Sequence, residues 1–344
     1  MNLRKLKRKV ITSIFILIIF FPIINGTIHL IKDRENSENR KLADKPVLDF
    51  KKLDNFPKKY NSYYKDNFNF RNHLSYLYNL LNYKYQLDKT PIVIGKDKWL
   101  FTKKTVLTQY LGKNKFSEKE LKIFKKEIQR RERIVDSLGG KYYFVIAPNK
   151  ASVHREFLPN YVRNINPENN RTDQIVEILS SKPKNNFIDL RSILANKGKK
   201  EYLFFKNDNH WNSLGGYYAA EYIINRLIND GINTSQVYPI HEYNFHKTEK
   251  FGGNLINNLG LGKEFKEETY EMTPSEKIPE FIDLKNDKKY ESPKGFPYPW
   301  EYYYRDQSEA KNKIKTLIVR DSFTNNLKPF LSQCFKETTY IWDS

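Results

Sequence analysis

The chain has 344 residues, of which 60 are Lys or Arg and 40 Asp or Glu, for a net charge of +20, and 39% of its side chains are hydrophobic. That length allows one large domain or two ordinary ones, with apolar and aromatic content sufficient for a sizeable core. The positive field favours a polyanionic partner, but the charge lies in mixed-sign runs with no arginine-rich arm and no nucleic-acid motif, so no nucleic-acid partner is expected.

Arg4, Lys5, Lys7, Arg8 and Lys9 precede an apolar run from Val10 to Ile24, which resumes weakly through Ile28, Leu30 and Ile31. A basic flank before an apolar run marks a signal peptide or a signal anchor. The run reaches a full span of about 20 residues only if Asn25-Gly26-Thr27 is carried within it. No small-x-small cleavage site follows, which favours an uncleaved anchor. Cations stay on the cytoplasmic side, so residues 1–32 read as a cytoplasmic tail and anchor. The expected location is the cell membrane, crossed once, with the remaining chain outside.

Residues 33–90 are charged and aromatic, interrupted by Pro46 and Pro57, with a helical stretch from Tyr60 through Arg71 to Tyr85. They read as a stalk or lid. Residues 91–344 read as the main domain. Ile92-Val93-Ile94 and Trp99-Leu100-Phe101 flank a Gly/Asp turn as a hairpin. From Phe116 to Leu138 the apolar residues have helical spacing, with Ser117 and Glu120 forming a capping box. Tyr142 to Ala147 is a continuous apolar run, as expected of a strand buried on both faces. A helix over Arg171–Ser181, a strand at Phe187–Leu190 and a helix over Asn212–Ile228 follow. Leu317–Val319 and Tyr340–Trp342 supply two more strands. This alternation predicts an α/β domain with a largely parallel sheet. The stretch from Lys247 to Asp306, with Gly252-Gly253-Asn254 and an aromatic cluster from Phe296 to Tyr304, reads as a long insertion bordering a site.

Two short segments carry chemistry. Asp208-Asn209-His210-Trp211 offers a histidine base with a carboxylate to orient it, and Arg320-Asp321-Ser322-Phe323 offers a serine at the end of a predicted strand. Open α/β sheets place ligands at such strand ends. A helix over Asn326–Phe335 is expected to turn its N-terminus toward an oxyanion. Each segment also has a plainer reading: Asp321-Ser322 as a helix N-cap, and the histidine segment as a surface loop before the helix that starts at Asn212. Trp211 reads as core packing, and Lys150 as strand-end solvation. The single cysteine, Cys334, excludes an internal disulfide and a Cys-rich metal site. His241 and His246 have no carboxylate or cysteine pattern around them, so neither metal nor cofactor is expected.

Together the two segments resemble the SGNH-type O-acetyltransferases of the alginate O-acetylation protein (AlgX/AlgJ-like) superfamily, in the form of the DHHW group of Gram-positive bacteria. Further matching blocks are Glu38-Asn39-Arg40-Lys41-Leu42 with Pro46, Asp66-Asn67-Phe68 with Arg71, and Gly95 to Phe101. Ala147-Pro148-Asn149-Lys150, with Val153 to Pro159 behind it, also fits. The resemblance implies an SGNH-hydrolase-like three-layer domain whose motifs stand in circularly permuted order. It implies Ser322 as nucleophile, His210 as general base and Asp208 as the orienting carboxylate. The Ser322 N–H is one oxyanion donor in that picture, with Gly253 or Asn254 near the second, although relatives often carry Asp at the position of Asn254. Trp211, Lys150, Asn254 and Arg320 are candidate substrate-binding residues, and His154 stands where relatives carry Tyr. The implied partners are a polysaccharide acceptor and a polytopic membrane acyltransferase of the MBOAT type that hands over acetyl groups. Relatives continue through another helix and strand beyond the last residue here, so a longer parent chain is an open alternative. Two rival functions stay open: an acetyl esterase using the same three residues, and a non-catalytic surface protein that binds glycans.

Overall fold

In the computed structural model, the described residues are 3–32, 34–35, 41–87, 89–180, 186–276, 282–283, 300–304 and 313–342. The chain divides into two units, one of residues 1–90 with 256–265, the other of residues 91–255 with 266–344.

In the first unit the N-terminal apolar run is a single helix, α1 (Leu3–Ile28). Its segment Arg4–Ile28 is long and apolar enough to cross a membrane and is almost entirely unburied. Asn25 is carried inside this helix, and its polar side chain is fully used. The amide donates to Ile31 O at 3.0 Å and Asn69 Oδ1 at 2.8 Å, and accepts from Ile31 N at 2.7 Å. The expected helical stretch to Tyr85 is two helices, α2 (Phe56–Asn67) and α3 (Arg71–Tyr85). The break has a backbone cause: Phe68 is extended and Phe70 sits at φ 69°, a left-handed conformation that ends any helix. Pro57 lies in the first turn of α2, where its missing N–H leaves no bond unmade.

The second unit opens with the expected hairpin, β1 (Ile92–Ile94) paired antiparallel with β2 (Leu100–Thr102), then a short α4 (Lys103–Thr105). Helix α5 (Glu118–Ser137) starts at the predicted capping box, with Ser117 Oγ accepting from Glu120 N at 3.3 Å and Glu120 Oε2 accepting from Ser117 N at 2.7 Å. Strand β3 (Phe144–Ile146) leads through α6 (Lys150–Val153), α7 (Asn160–Arg163) and α8 (Arg171–Leu179) to its parallel partner β4 (Phe187–Asp189). Helices α9 (Arg191–Gly198) and α10 (Ser213–Asn229) follow. One face of α10 carries Tyr217, Ala220, Ile223 and Ile224 into the core, each large side chain contributing about 1.5–3 kcal/mol by its burial.

The stretch read as a long insertion is a paired arm. Strands β5 (Tyr243–Phe251) and β6 (Lys266–Pro274) run antiparallel over their whole length, with α11 (Asn254–Asn258) between them. Charged side chains that suggested a loop instead pair across the ladder, as Lys247 does with Glu268 at 2.9 Å. Of the predicted aromatic cluster, residues 296–299 lie outside the described residues. The following residues form β8 (Glu301–Tyr304), which pairs with β7 (Ile282–Asp283). Strand β9 (Lys315–Arg320), helix α12 (Lys328–Leu331) and strand β10 (Glu337–Trp342) are the last elements among the described residues.

The sheet is smaller and more mixed than predicted. Strands β3 and β4 form one parallel pair, and a four-stranded sheet runs β7-β8-β10-β9, parallel only between β9 and β10. Burial on both faces also fails: Val145 is 37% exposed, Leu317 59% and Val319 55%. An apolar run cannot distinguish one-sided from two-sided burial, and no described element covers the outer side of β9 at Leu317 and Val319. The helix expected over Asn326–Phe335 is broken into a 3-10 turn at Ser322–Asn326, α12, and another 3-10 turn at Ser332–Cys334. Pro329, near the start of α12, cannot supply the N–H that a continuous helix needs there.

Candidate active site

The site is built from two segments 112 positions apart. The first is a small hairpin: Asn212 N donates to Leu203 O at 2.9 Å and Phe205 N to His210 O at 3.2 Å, with Phe204 opposite Trp211. Its tip, residues 206–209, carries Asp208. The Asp208 carboxylate closes the turn locally, because Oδ1 accepts from His210 N at 3.0 Å. The second segment is the turn after β9, where Asp321 Oδ1 accepts from Phe323 N at 2.9 Å and caps the 3-10 turn that begins at Ser322. The N-cap reading of Asp321 therefore holds alongside any chemical role of Ser322.

Three side chains form a hydrogen-bonded line. Ser322 Oγ is 2.7 Å from His210 Nε2, and His210 Nδ1 is 2.6 Å from Asp208 Oδ1. An ionised carboxylate only accepts, so Nδ1 carries the imidazole proton and Nε2 is free to accept from the Ser322 hydroxyl. Burial raises the Asp208 pKa, but the bonds from the His210 ring, Asn254 N–H and His210 N–H outweigh it and hold the carboxyl at about 2. His210 and Asp208 keep 24% and 13% of their side-chain surface, enough to leave the line reachable from solvent.

The other candidates fall into distinct places. Trp211 is fully buried, with Nε1 donating to Phe323 O at 2.9 Å, and Asn326 Nδ2 donates to Trp211 O at 2.5 Å. These bonds tie the histidine hairpin to the serine turn. Asn254 N donates to Asp208 Oδ2 at 2.8 Å and Asn254 Oδ1 accepts from Asn209 N at 3.0 Å, while its amide N–H carries no bond among the described residues. Arg320 is buried, pairs with Glu301, donates to Asn325 Oδ1 at 2.9 Å, and lies 4.2 Å from the Trp342 ring centre. Lys150 is buried behind Asp208 and donates to Asp208 O at 3.1 Å. His154 is a core residue whose Nε2 accepts from Leu203 N at 3.0 Å. Sequence reasoning passed over Glu267, buried beneath the tip and accepting from Lys206 N and Asn207 N. Its place in a run of alternating charges gave no signal.

The site thus sets a serine at a strand end within hydrogen-bond reach of a histidine that a carboxylate holds from behind. Residues 92–288 match the family described as "SGNH hydrolase-like domain, acetyltransferase AlgX", and the chain belongs to that family. The match takes in Asp208 and His210 and ends before Ser322, whose place beside them rests on the distances above. Among solved structures the chain is similar to PatB1 of Bacillus cereus, one structure of which carries a sulfonyl adduct. Each PatB1 structure gives a TM-score of 0.51 at 17% identity, covering 73% of this chain and 86% of that one. A DHHW family protein from Eubacterium siraeum gives 0.44 at 19% identity, covering 63% and 75%. No curated protein matches the sequence. The likeness to PatB1 establishes the fold. With the family it makes the chain an SGNH-type acyltransferase or esterase.

Proposed function

We propose that the protein is an extracytoplasmic O-acetyltransferase that moves acetyl groups through Ser322 onto hydroxyls of a cell-surface or secreted polysaccharide. The observation that carries this is the unbroken line Ser322–His210–Asp208 in a chain of the AlgX acetyltransferase family. In the first half-reaction Ser322 Oγ attacks the acetyl carbonyl while His210 Nε2 takes the hydroxyl proton and then returns it to the leaving group. In the second, His210 takes the proton of a sugar hydroxyl as its oxygen attacks the acetyl-serine, and returns it to Ser322 Oγ as the acyl–Oγ bond breaks. Asp208 holds the ring in the required tautomer and stabilises the imidazolium. The Ser322 backbone N–H and the Asn254 side-chain Nδ2–H, neither bonded among the described residues, supply the oxyanion donors.

Helix α1 serves as a single-pass anchor, with its basic start inside and the catalytic unit outside. The acetyl donor is then a polytopic membrane acyltransferase that delivers the group across the membrane. Detergent-solubilised full chain, acetylated on Ser322 by an activated ester, separates the readings when given oligosaccharide acceptors. Acetyl appearing on the sugar supports the transferase. Release only as acetate identifies an esterase, and failure of the folded chain to acetylate at all leaves the glycan-binding reading.

A further inference from the structure

Behind the site lie two buried ionisable side chains of opposite sign, Lys150 and Glu267, that the chemistry above does not use. Lys150 on α6 is 3% exposed, and its ammonium donates to Leu100 O at 2.8 Å, Lys206 O at 2.8 Å and Asp208 O at 3.1 Å. The rings of Trp99 and Phe101 stand 4.9 Å and 5.2 Å from it. On β6, Glu267 is 7% exposed and accepts from the N–H groups of Lys206 and Asn207. The two side chains share no direct bond. They meet through the backbone between them, one taking its carbonyls and the other its N–H groups.

We infer that Lys150 and Glu267 together position the catalytic carboxylate, clamping the backbone of residues 206–208 so that Asp208 addresses His210. The segment is irregular and half-buried; Leu100 N and Leu255 N donate to Lys206 O and Asn207 O at 3.1 Å and 3.2 Å, and side chains meet polar groups that no ladder pairs. Three carbonyls match the three N–H donors of an ammonium, and opposite charges across one peptide segment offset each other's burial penalty. Burial pushes Lys150 down to about 7 and pushes Glu267 up, while each charge counters the shift of the other. Since all three ammonium donors are engaged under aromatic rings, Lys150 acts through Asp208 and is a positioning residue. Substrate binding does not describe it. This rests on the roles proposed for Ser322, His210 and Asp208.

The test uses the full chain and the variants Lys150→Met, which keeps length and removes the donors, and Glu267→Gln, which keeps shape and one acceptor. Acetylation kinetics, melting temperature and the low-field proton resonance of His210 Nδ1–H are measured for each. Lys150→Met is expected to lower kcat by about 10- to 100-fold. KM for the acetyl ester should stay within about twofold, and the resonance should broaden or vanish. Glu267→Gln should shift both readouts the same way by less, and it stands in if Lys150→Met does not fold. Leu227→Ala, about 20 Å along α10 from Asn212, loosens the core elsewhere and should lower the melting temperature with kcat and resonance intact. Wild-type kcat and an unchanged resonance in Lys150→Met, or in Glu267→Gln when that variant stands in, would overturn the inference. An absence of acetylation in wild type would instead sink the functional reading, and the resonance would still decide whether the pair positions Asp208.

Discussion

Trp211→Phe tests whether the serine turn and the histidine hairpin are mechanically one piece. The indole N–H donates to Phe323 O at 2.9 Å, and its ring meets Phe323 edge-on at 5.2 Å between centres. Phenylalanine fills most of the fully buried pocket, leaving a void of about 40 Å³ that costs about 1 kcal/mol. The stranded Phe323 carbonyl adds roughly 1–3 kcal/mol. A total near 3 kcal/mol lowers the melting temperature by about 6–12 °C in a unit of this size. With that tie gone, Ser322 can drift from His210, and a displacement of about 1 Å costs roughly 100-fold in rate. Thermal unfolding by circular dichroism and the rate of Ser322 acetylation by intact mass read the two effects separately. If Trp211→Phe loses stability but acetylates at the wild-type rate, Trp211 only fills the core and the coupling argument is wrong.

Asp208→Asn should leave the fold intact and slow acetylation by about four orders of magnitude, because the imidazole no longer holds the required tautomer; stopped-flow with a chromogenic acetyl ester measures it. The same carboxyl sets an acid limb. Its folded pKa is depressed from 3.8 to about 2, so its stabilisation is fully present above pH 4 and lost as pH falls through about 2. That contribution is about 2 kcal/mol, and urea titrations at pH 5 and 2.5 should show it in wild type and not in Asp208→Asn. Gly253→Ala should destabilise by more than about 1 kcal/mol. Gly253 sits at φ +116°, and an added Cβ would lie 2.5 Å from Asn207 O, beside the segment that carries Asp208. A urea midpoint equal to wild type would contradict that account.

Local signals were legible where one residue type has one physical use. The Ser117–Glu120 capping box, the turn before Trp99 and the apolar face of α10 all appear as their patterns require. The two chemical segments were also legible, since a carboxylate two residues before a histidine and a serine at a strand end are uncommon company. Their approach across 112 positions is tertiary information. What stayed hidden follows the same logic. Continuous apolar runs do not say how many faces are covered, so β3 and β9 looked more buried than they are. Alternating charges in β5 and β6 look alike in a loop and in an exposed ladder. Lys150 and Glu267 act on backbone atoms, which leave no mark on residue type, and so neither role could be read from spacing.

The central claim is that Ser322 is acetylated by the hydrogen-bonded line that His210 and Asp208 complete. Its most direct test is the intact mass of the full chain after brief exposure to an activated acetyl ester, followed by peptide mapping. The account predicts one acetyl group on Ser322 in wild type, and none in folded Ser322→Ala or His210→Ala. Equal acetylation of wild type and Ser322→Ala, with both chains folded, would contradict it.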